Sequence, residues 1–284
     1  MTTLPETVGT TKKRWVDWPK HLIIWGVLAL ELIPLYMMIQ ISGKDNATFM
    51  VNPWRPVSLR AWEWANLRFG LELIGPYIAN TVFVVVSTTV ASMILAIMAA
   101  YFFARYRMPL HTFLWYFFLI LMLMPGVANI VPLFMLLSSM NLLNTLYALV
   151  LIGIAGGQVF QIYVLRNFIE DIPRDLFEAG EIDGASHLQQ IRHIVVPMAA
   201  PIIGTLGVLA FLQQWNDFMM PLIILRDREL FTLGVGLIYL DGEYVKQWGQ
   251  MMGAFLIASI PLFILFIFCM KLFVRGLAAG AVKG

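Results

Sequence analysis

TFLWYFFLILMLMPGVANIVPLFMLLSSMNLLNTLYALVLIGIAGGQVFQIYVL, from Thr112 to Leu165, runs for 54 residues without an Asp, Glu, Lys, Arg or His. A hydrocarbon core of about 30 Å takes roughly 20 apolar residues of helix, and in lipid each backbone N–H must be paired within its own segment. The stretch therefore holds two passes, divided at the polar break SSMNLLNT, Ser138 to Thr145. Working outward, apolar runs predict further spans from Leu22 to Ser42, from about Pro76 to Ala104, from about Met198 to Pro221 and from about Gln250 to Phe273. The chain of 284 residues is 60% hydrophobic and only 13% charged, with a mean hydropathy of +0.79. Such values lie far outside the soluble range. The expected fold is an all-α integral membrane protein of six transmembrane helices, with one membrane domain at 22–273 between tails at 1–21 and 274–284.

Orientation follows from the basic residues. Of the 19 Lys and Arg, 12 fall on the side of the N-terminal tail, Arg105, Arg107, Arg166, Arg174, Arg192, Lys271, Arg275 and Lys283, and 7 on the other. The positive-inside rule makes that first side cytoplasmic, with both termini there and outer loops at 43–75 and 222–249. The basic cluster before the first span imitates a signal peptide, but the apolar segment is of spanning length and lacks a small-x-small cleavage site, so it reads as a retained helix. A net charge of +2 without a clustered basic face gives no nucleic-acid footprint. The single cysteine, Cys269, has no partner for an intrachain disulfide.

The cytoplasmic segment 169–197 contains EAGEIDGASHLQQIRHIVVP, Glu178 to Pro197, charged and glycine-punctuated between two apolar runs. Pro173 suits a first helical turn, and Asp175 and Glu178 follow near the positive end of the helix dipole. Gly184 invites a break, Ser186 with Gln189 forms a capping box, and Pro197 separates the second short helix from the fifth span. The product is a helix-turn-helix elbow. Ala179, Gly180, Gly184 and Ala185 permit close backbone approach, and Leu176, Phe177 and Ile191 are apolar anchors of the kind that fill a groove. The competing reading is a solvated loop lying on the headgroups.

This run resembles the EAA motif of binding-protein-dependent ABC importer permeases. Glu178, Ala179 and Gly180 stand for its opening triplet, Asp183, Gly184 and Ala185 for its central group, and Ile191 and Pro197 for its end; Gly180 departs from the family's alanine. QQWNDFMMPLI, Gln213 to Ile223, resembles the fifth-helix segment of the carbohydrate-importer branch, and VRGLAAGAVKG, Val274 to Gly284, resembles the tail of its maltose-permease-like subunits. The resemblance implies a permease subunit without a catalytic site, set in a bacterial cytoplasmic (inner) membrane. It also implies a second related permease, an extracytoplasmic solute-binding protein and two ATPase subunits that bind the ATP and Mg. The elbow would couple their closure to alternating access, with Gly280 and Lys283 of the tail reaching the same ATPase pair. No GxxxxGK[ST] occurs in the chain, consistent with borrowed energy. The implied cargo is a sugar or oligosaccharide, neutral or acidic.

Polar residues inside a membrane are functional candidates. Asn80, Trp215, Asn216 and Asp217 are candidates for the translocation path, with Glu31 and Gln158 also intramembrane. Each has a bland alternative as an interhelical hydrogen bond, a cap or an interfacial aromatic. Tyr239, Asp241, Glu243 and Tyr244 in the second outer loop are candidates for docking the binding protein, or polar residues facing water. Two rivals remain at this point: a permease for a non-sugar solute, and half of an ion-driven secondary transporter, which the scarcity of paired intramembrane carboxylates opposes. The four histidines lie at or outside span ends with no HExxH or GxSxG, so neither metal nor serine hydrolysis has a basis.

Overall fold

The computed structural model describes residues 18–106, 109–124, 126–243 and 247–281, with the backbone alone at 111, 127, 240–243 and 269–281. Among the described residues every regular element is a helix. They separate into two compact units, one joining residues up to 70 with 247–257, the other joining 71–243 with 258–281.

In the first unit α1 (Trp18–Ser42) has no distinct polar face and, apart from Lys20, His21 and Glu31, exposes apolar side chains all round, as suits a helix in lipid. Its end is tied down by the buried amide of Asn66, which donates to Ser42 O at 3.0 Å and Lys44 O at 2.7 Å. A short helix α2 (Asn46–Val51) starts at Asp45, whose carboxylate accepts from Thr48 N at 2.7 Å and is thereby held below its ordinary pKa. Lys44 is buried and donates to the carbonyls of Asn52 and Pro53 at 3.1 and 2.5 Å; burial pushes its pKa down. Further on, α3 (Trp64–Arg105) begins twelve residues before the predicted span. The last part of the first expected outer loop, 43–75, is therefore helical. Its Gly70 lies against the backbone of Gly253 and Ala254, and Gly249 and Gly253 against Asn66, so small residues let helix backbones meet.

The second unit carries the predicted third span in two pieces, α4 (His111–Leu123) and α5 (Ile130–Ser139). Pro125 disfavours helical backbone at the residue before it, and Met124 is extended with ψ 126°. The fourth span is one helix, α6 (Leu146–Glu170), reached through a turn in which Asn141 and Asn144 take left-handed φ of 55° and 59°, a conformation asparagine tolerates. Next come α7 (Arg174–Ile182), α8 (His187–Gln190) with a wide π-type turn over Ile191–Val195, α9 (Val196–Met198) and α10 (Ala200–Trp215). The run His187–Met198 bends by 85° into α10. Pro197 and Pro201, which lack N–H donors, flank the bend, and it falls at Ala199. After α10 come α11 (Met219–Ile224), α12 (Leu233–Glu243) and α13 (Trp248–Ala281).

Among the described residues four helices are long and apolar enough to cross a membrane, and the bent pair makes a fifth. The remaining expected span, the third in chain order, corresponds to the broken α4 and α5. The stretch expected as a C-terminal tail, 274–284, continues α13 as far as Ala281.

Along α3 the second unit alternates core and polar layer. Val84 belongs to one buried cluster with Leu149 of α6, Leu225 and Phe231, whereas Met93 to Tyr101 belong to another with Ile162, Leu165, Phe177 and Val195. Val84 and Tyr101 stand about 26 Å apart along the helix at 1.5 Å per residue. Between them lie Thr88 and Ser92, both buried.

Candidate functional site

The elbow is closed by its own backbone. Ala185 N donates to Gly180 O at 2.8 Å and Gly184 N to Glu181 O at 3.1 Å, the Schellman pattern that ends α7, with Gly184 at φ +73°. Two residues later Ser186 Oγ accepts from Gln189 N, and Gln189 Oε1 accepts from Ser186 N at 2.7 Å. Four residues thus separate the two helices, and each helix end has satisfied orphan groups.

The inner side of the elbow is pinned. Phe177 is wholly buried beneath the guanidinium of Arg105, whose Cζ lies 4.1 Å from the ring centroid. Tyr101 donates its hydroxyl proton to Oε1 of the buried Gln190 at 2.7 Å, and His187 Nδ1 lies 3.3 Å from that hydroxyl and 3.1 Å from the hydroxyl of Tyr106. Ile191 and Val195 are buried beside them. Phe177 and Ile191, expected as outward anchors, instead hold the elbow to its own bundle. The outer side carries Glu178, Ala179 and Asp183, all exposed, with Pro197 also exposed and Gly180 and Ala185 half-buried. Its apolar groups are Ile182, 87% exposed, and Leu188, 67% exposed, with Leu176 partly so. The sequence reading missed Ile182 and Leu188. A signal was present: Ile182 follows Phe177 by five residues, about 140° round the helix, so if Phe177 faces in, Ile182 faces out.

A polar layer crosses the bundle between the two clusters. Gln158 Nε2 donates to Ser92 O at 3.0 Å and Gln161 Nε2 to Ser92 Oγ at 3.4 Å. Gln161 is buried, and its Oε1 has no partner among the described residues. Gly153 and Gly157 of α6 make room, since a Cβ at either would press on Gln214 or Gln161 respectively. The layer borders a cavity of about 140 Å³ that Thr88, Gln161, Gln213, Gln214 and Asp217 help to line.

Of the four path candidates, only Asp217 reaches that cavity. Its Oδ1 also caps α11, accepting from Met219 N at 3.1 Å and Met220 N at 3.4 Å. Asn216 donates to Leu212 O at 2.8 Å, Trp215 is buried and stacked on Phe211, and Asn80 donates to Glu229 O at 2.8 Å and Phe231 O at 3.0 Å. These three perform structural work in this arrangement. Gln161 and Gln214 were missed because their periodicity matches that of ordinary helix positions.

The expected outer loop 222–249 is largely folded. Leu225, Phe231, Leu233 and Val235 are buried, and Leu233 N donates to Thr81 Oγ1 at 2.7 Å. Asn144 clamps its start, accepting from Arg226 N and Asp227 N and donating to Asp227 Oδ2 at 2.7 Å. Tyr239 stacks on Phe231 with centroids 4.9 Å apart. The side chains of Asp241 and Glu243, and all of Tyr244 and Lys283, lie outside the described residues, while Gly280 falls within α13.

A helical bundle crossing the membrane several times, with a short anchored elbow between two spans, defines a membrane transport component. Residues 92–280 match the binding-protein-dependent transport system inner membrane component family, and the chain belongs to that family. It is 30% identical to the diacetylchitobiose uptake system permease protein NgcG of Streptomyces coelicolor, over 93% of this chain and 86% of the relative. It is 28% identical to the trehalose/maltose transport system permease protein MalG of Thermococcus litoralis, over 93% and 96%. The fold matches a chain from the crystal structure of a bacterial ABC transporter involved in alginate import with a TM-score of 0.79 at 21% identity, covering 93% of this chain and 99% of that one.

Proposed function

We propose that this chain is one of two related permease subunits of a saccharide importer, working with two ATPase subunits that bind ATP and Mg and with an extracytoplasmic solute-binding protein. The elbow carries the reading: an outer face of Glu178, Ile182 and Leu188 stands exposed above an inner face of Phe177, Tyr101 and Gln190 locked into the bundle. A groove on each ATPase would receive the outer face, placing the elbow and both termini in the cytoplasm, in keeping with the positive-inside count. Because the inner face is packed and hydrogen-bonded, displacement of the elbow moves the ends of α3 and α10 instead of flexing a loop. That rocking exposes the polar layer alternately to either side.

A saccharide is favoured by two relatives whose names specify sugar uptake. The amide and hydroxyl lining of the cavity suits a hydroxyl-rich solute. Asp217, Gln161 and Gln214 are the proposed contacts. Tyr239 and the end of α12 form the proposed face for the binding protein.

Affinity purification of the tagged chain from its own membrane, with every accompanying chain identified and ATP hydrolysis assayed against a saccharide panel, tests the reading. Recovery of an ATPase and a second permease, with hydrolysis stimulated by a saccharide-loaded binding protein, is expected. Isolation of the chain alone, under conditions that preserve complexes, would overturn it.

A further inference from the structure

Beside the elbow, in the second unit, a cavity of about 780 Å³ is lined by Arg105, Arg166 and Arg174 against a single carboxylate, Glu170, among the described residues. These residues occupy the last turn of α3, the last turns of α6 and the first position of α7. Arg105 and Arg166 each sit over an aromatic ring, with Cζ 4.1 Å from the centroid of Phe177 for one and of Trp115 for the other. Stacking occupies the face of a guanidinium and leaves its in-plane N–H edge to bind an anion. Arg166 Nη2 is paired with Glu170 at 2.5 Å, but the Nε groups of both Arg105 and Arg166 are buried and have no partner among the described residues. A buried donor on a cation is expensive to leave unmet. Thr112 lies on the same wall, and its neighbours Leu110 and Phe113 expose 72% and 63% of their surface at the rim. Three arginines lining one cavity beside exposed apolar side chains match a phosphate group carrying acyl chains.

We propose that this arginine cavity binds the phosphate of an anionic phospholipid headgroup, and that its occupancy stiffens the elbow. The phosphate oxygens sit between the guanidinium groups of Arg105 and Arg166, Arg174 closes over them, and the acyl chains run along Leu110 and Phe113. Since Arg105 also covers Phe177 and Arg174 begins α7, filling the cavity fixes the base of the elbow. This last consequence rests on the coupling reading above; the binding itself does not. Free phosphate shares the recognition chemistry, and the two sources separate by experiment.

The assembled transporter is placed in nanodiscs of phosphatidylcholine with or without phosphatidylglycerol, and lipid retained after release is counted by native mass spectrometry. Phosphatidylglycerol is expected to stay bound in preference to phosphatidylcholine, with retention falling about fivefold for each arginine removed. The variants are Arg105→Gln with Arg166→Gln, and Arg174→Gln, which is exposed and outside both aromatic stacks and so keeps the fold if the double variant does not. Stimulated ATPase activity is expected to rise with phosphatidylglycerol in the unaltered protein and to respond less in the variants. Equal retention by Arg174→Gln and the unaltered chain would overturn the site, as would reproduction of the ATPase effect by millimolar inorganic phosphate in phosphatidylcholine discs. Arginine-dependent retention in a chain that purifies with no ATPase would uphold the site and sink the coupling reading.

Discussion

Gly180 and Gly184, four residues apart in the elbow, present the same residue type with opposite needs. Gly180 has ordinary helical backbone, and a Cβ there would sit 3.5 Å from Ile194 Cδ1, a normal contact. Alanine gains about 0.8–1.0 kcal/mol of helix propensity over glycine in a helix interior. Gly180→Ala is therefore expected to raise the thermal midpoint of the purified complex with uptake unchanged; a fall would show that the family's usual alanine does not fit here. Gly184 has open space around it but φ +73°, where a Cβ costs roughly 1–2 kcal/mol. Gly184→Ala is expected to lower the same midpoint, and a rise would refute the backbone argument. The break at Gly184 was legible because glycine after a polar helical turn, followed by a capping box, has little other use. The inward burial of Phe177 was not, since a nine-residue helix offers two apolar faces and sequence does not say which one meets α3.

At the scale of elements, the same contrast separates long helices from short ones. Length and unbroken apolar composition made α1, α3, α6 and α13 readable, because about 20 apolar residues in lipid have no alternative to helix. The division of the third span into α4 and α5 was not anticipated, although Pro125 and Gly126 stood in its middle; an isolated proline is tolerated in many spanning helices. The folded stretch at 225–235 was hidden because its burial depends on partners in α3 and at Asn144, remote in sequence. Where α8 meets α3, the buried hydrogen bond from Tyr101 to Gln190 is joined by His187 Nδ1, 3.3 Å from the same hydroxyl. Tyr101→Phe leaves Gln190 Oε1 buried without its donor, at a cost of about 1–3 kcal/mol. The expected outcome is a complex that assembles and hydrolyses ATP but moves less solute for each ATP, measured as the ratio of uptake to hydrolysis in proteoliposomes. An unchanged ratio would mean that packing of Phe177 and Ile191 alone carries the motion.

For the whole molecule, the proposed coupling role has the elbow gripped on one side and anchored on the other, and the two sides fail differently. Tyr101→Phe tests the anchor. Glu178→Lys and Ile182→Asp test the grip, because both side chains are exposed and neither contributes to the buried clusters. Either change should leave the chain inserted with an unaltered thermal midpoint. A central apolar contact at a docking surface is worth about 2 kcal/mol or more, so Ile182→Asp is expected to weaken ATPase association by roughly thirtyfold. Glu178→Lys reverses a charge at the rim and is expected to uncouple hydrolysis from uptake with smaller loss of association, the loss growing at low ionic strength. Titration of purified ATPase against permease pairs in nanodiscs, followed by uptake and hydrolysis in the same preparation, distinguishes these outcomes. If Ile182→Asp associates and transports like the unaltered chain, the outer face is not the docking surface, and the ATPase must be held by other parts of the cytoplasmic side, with Gly280 near the end of α13 as the next position to alter.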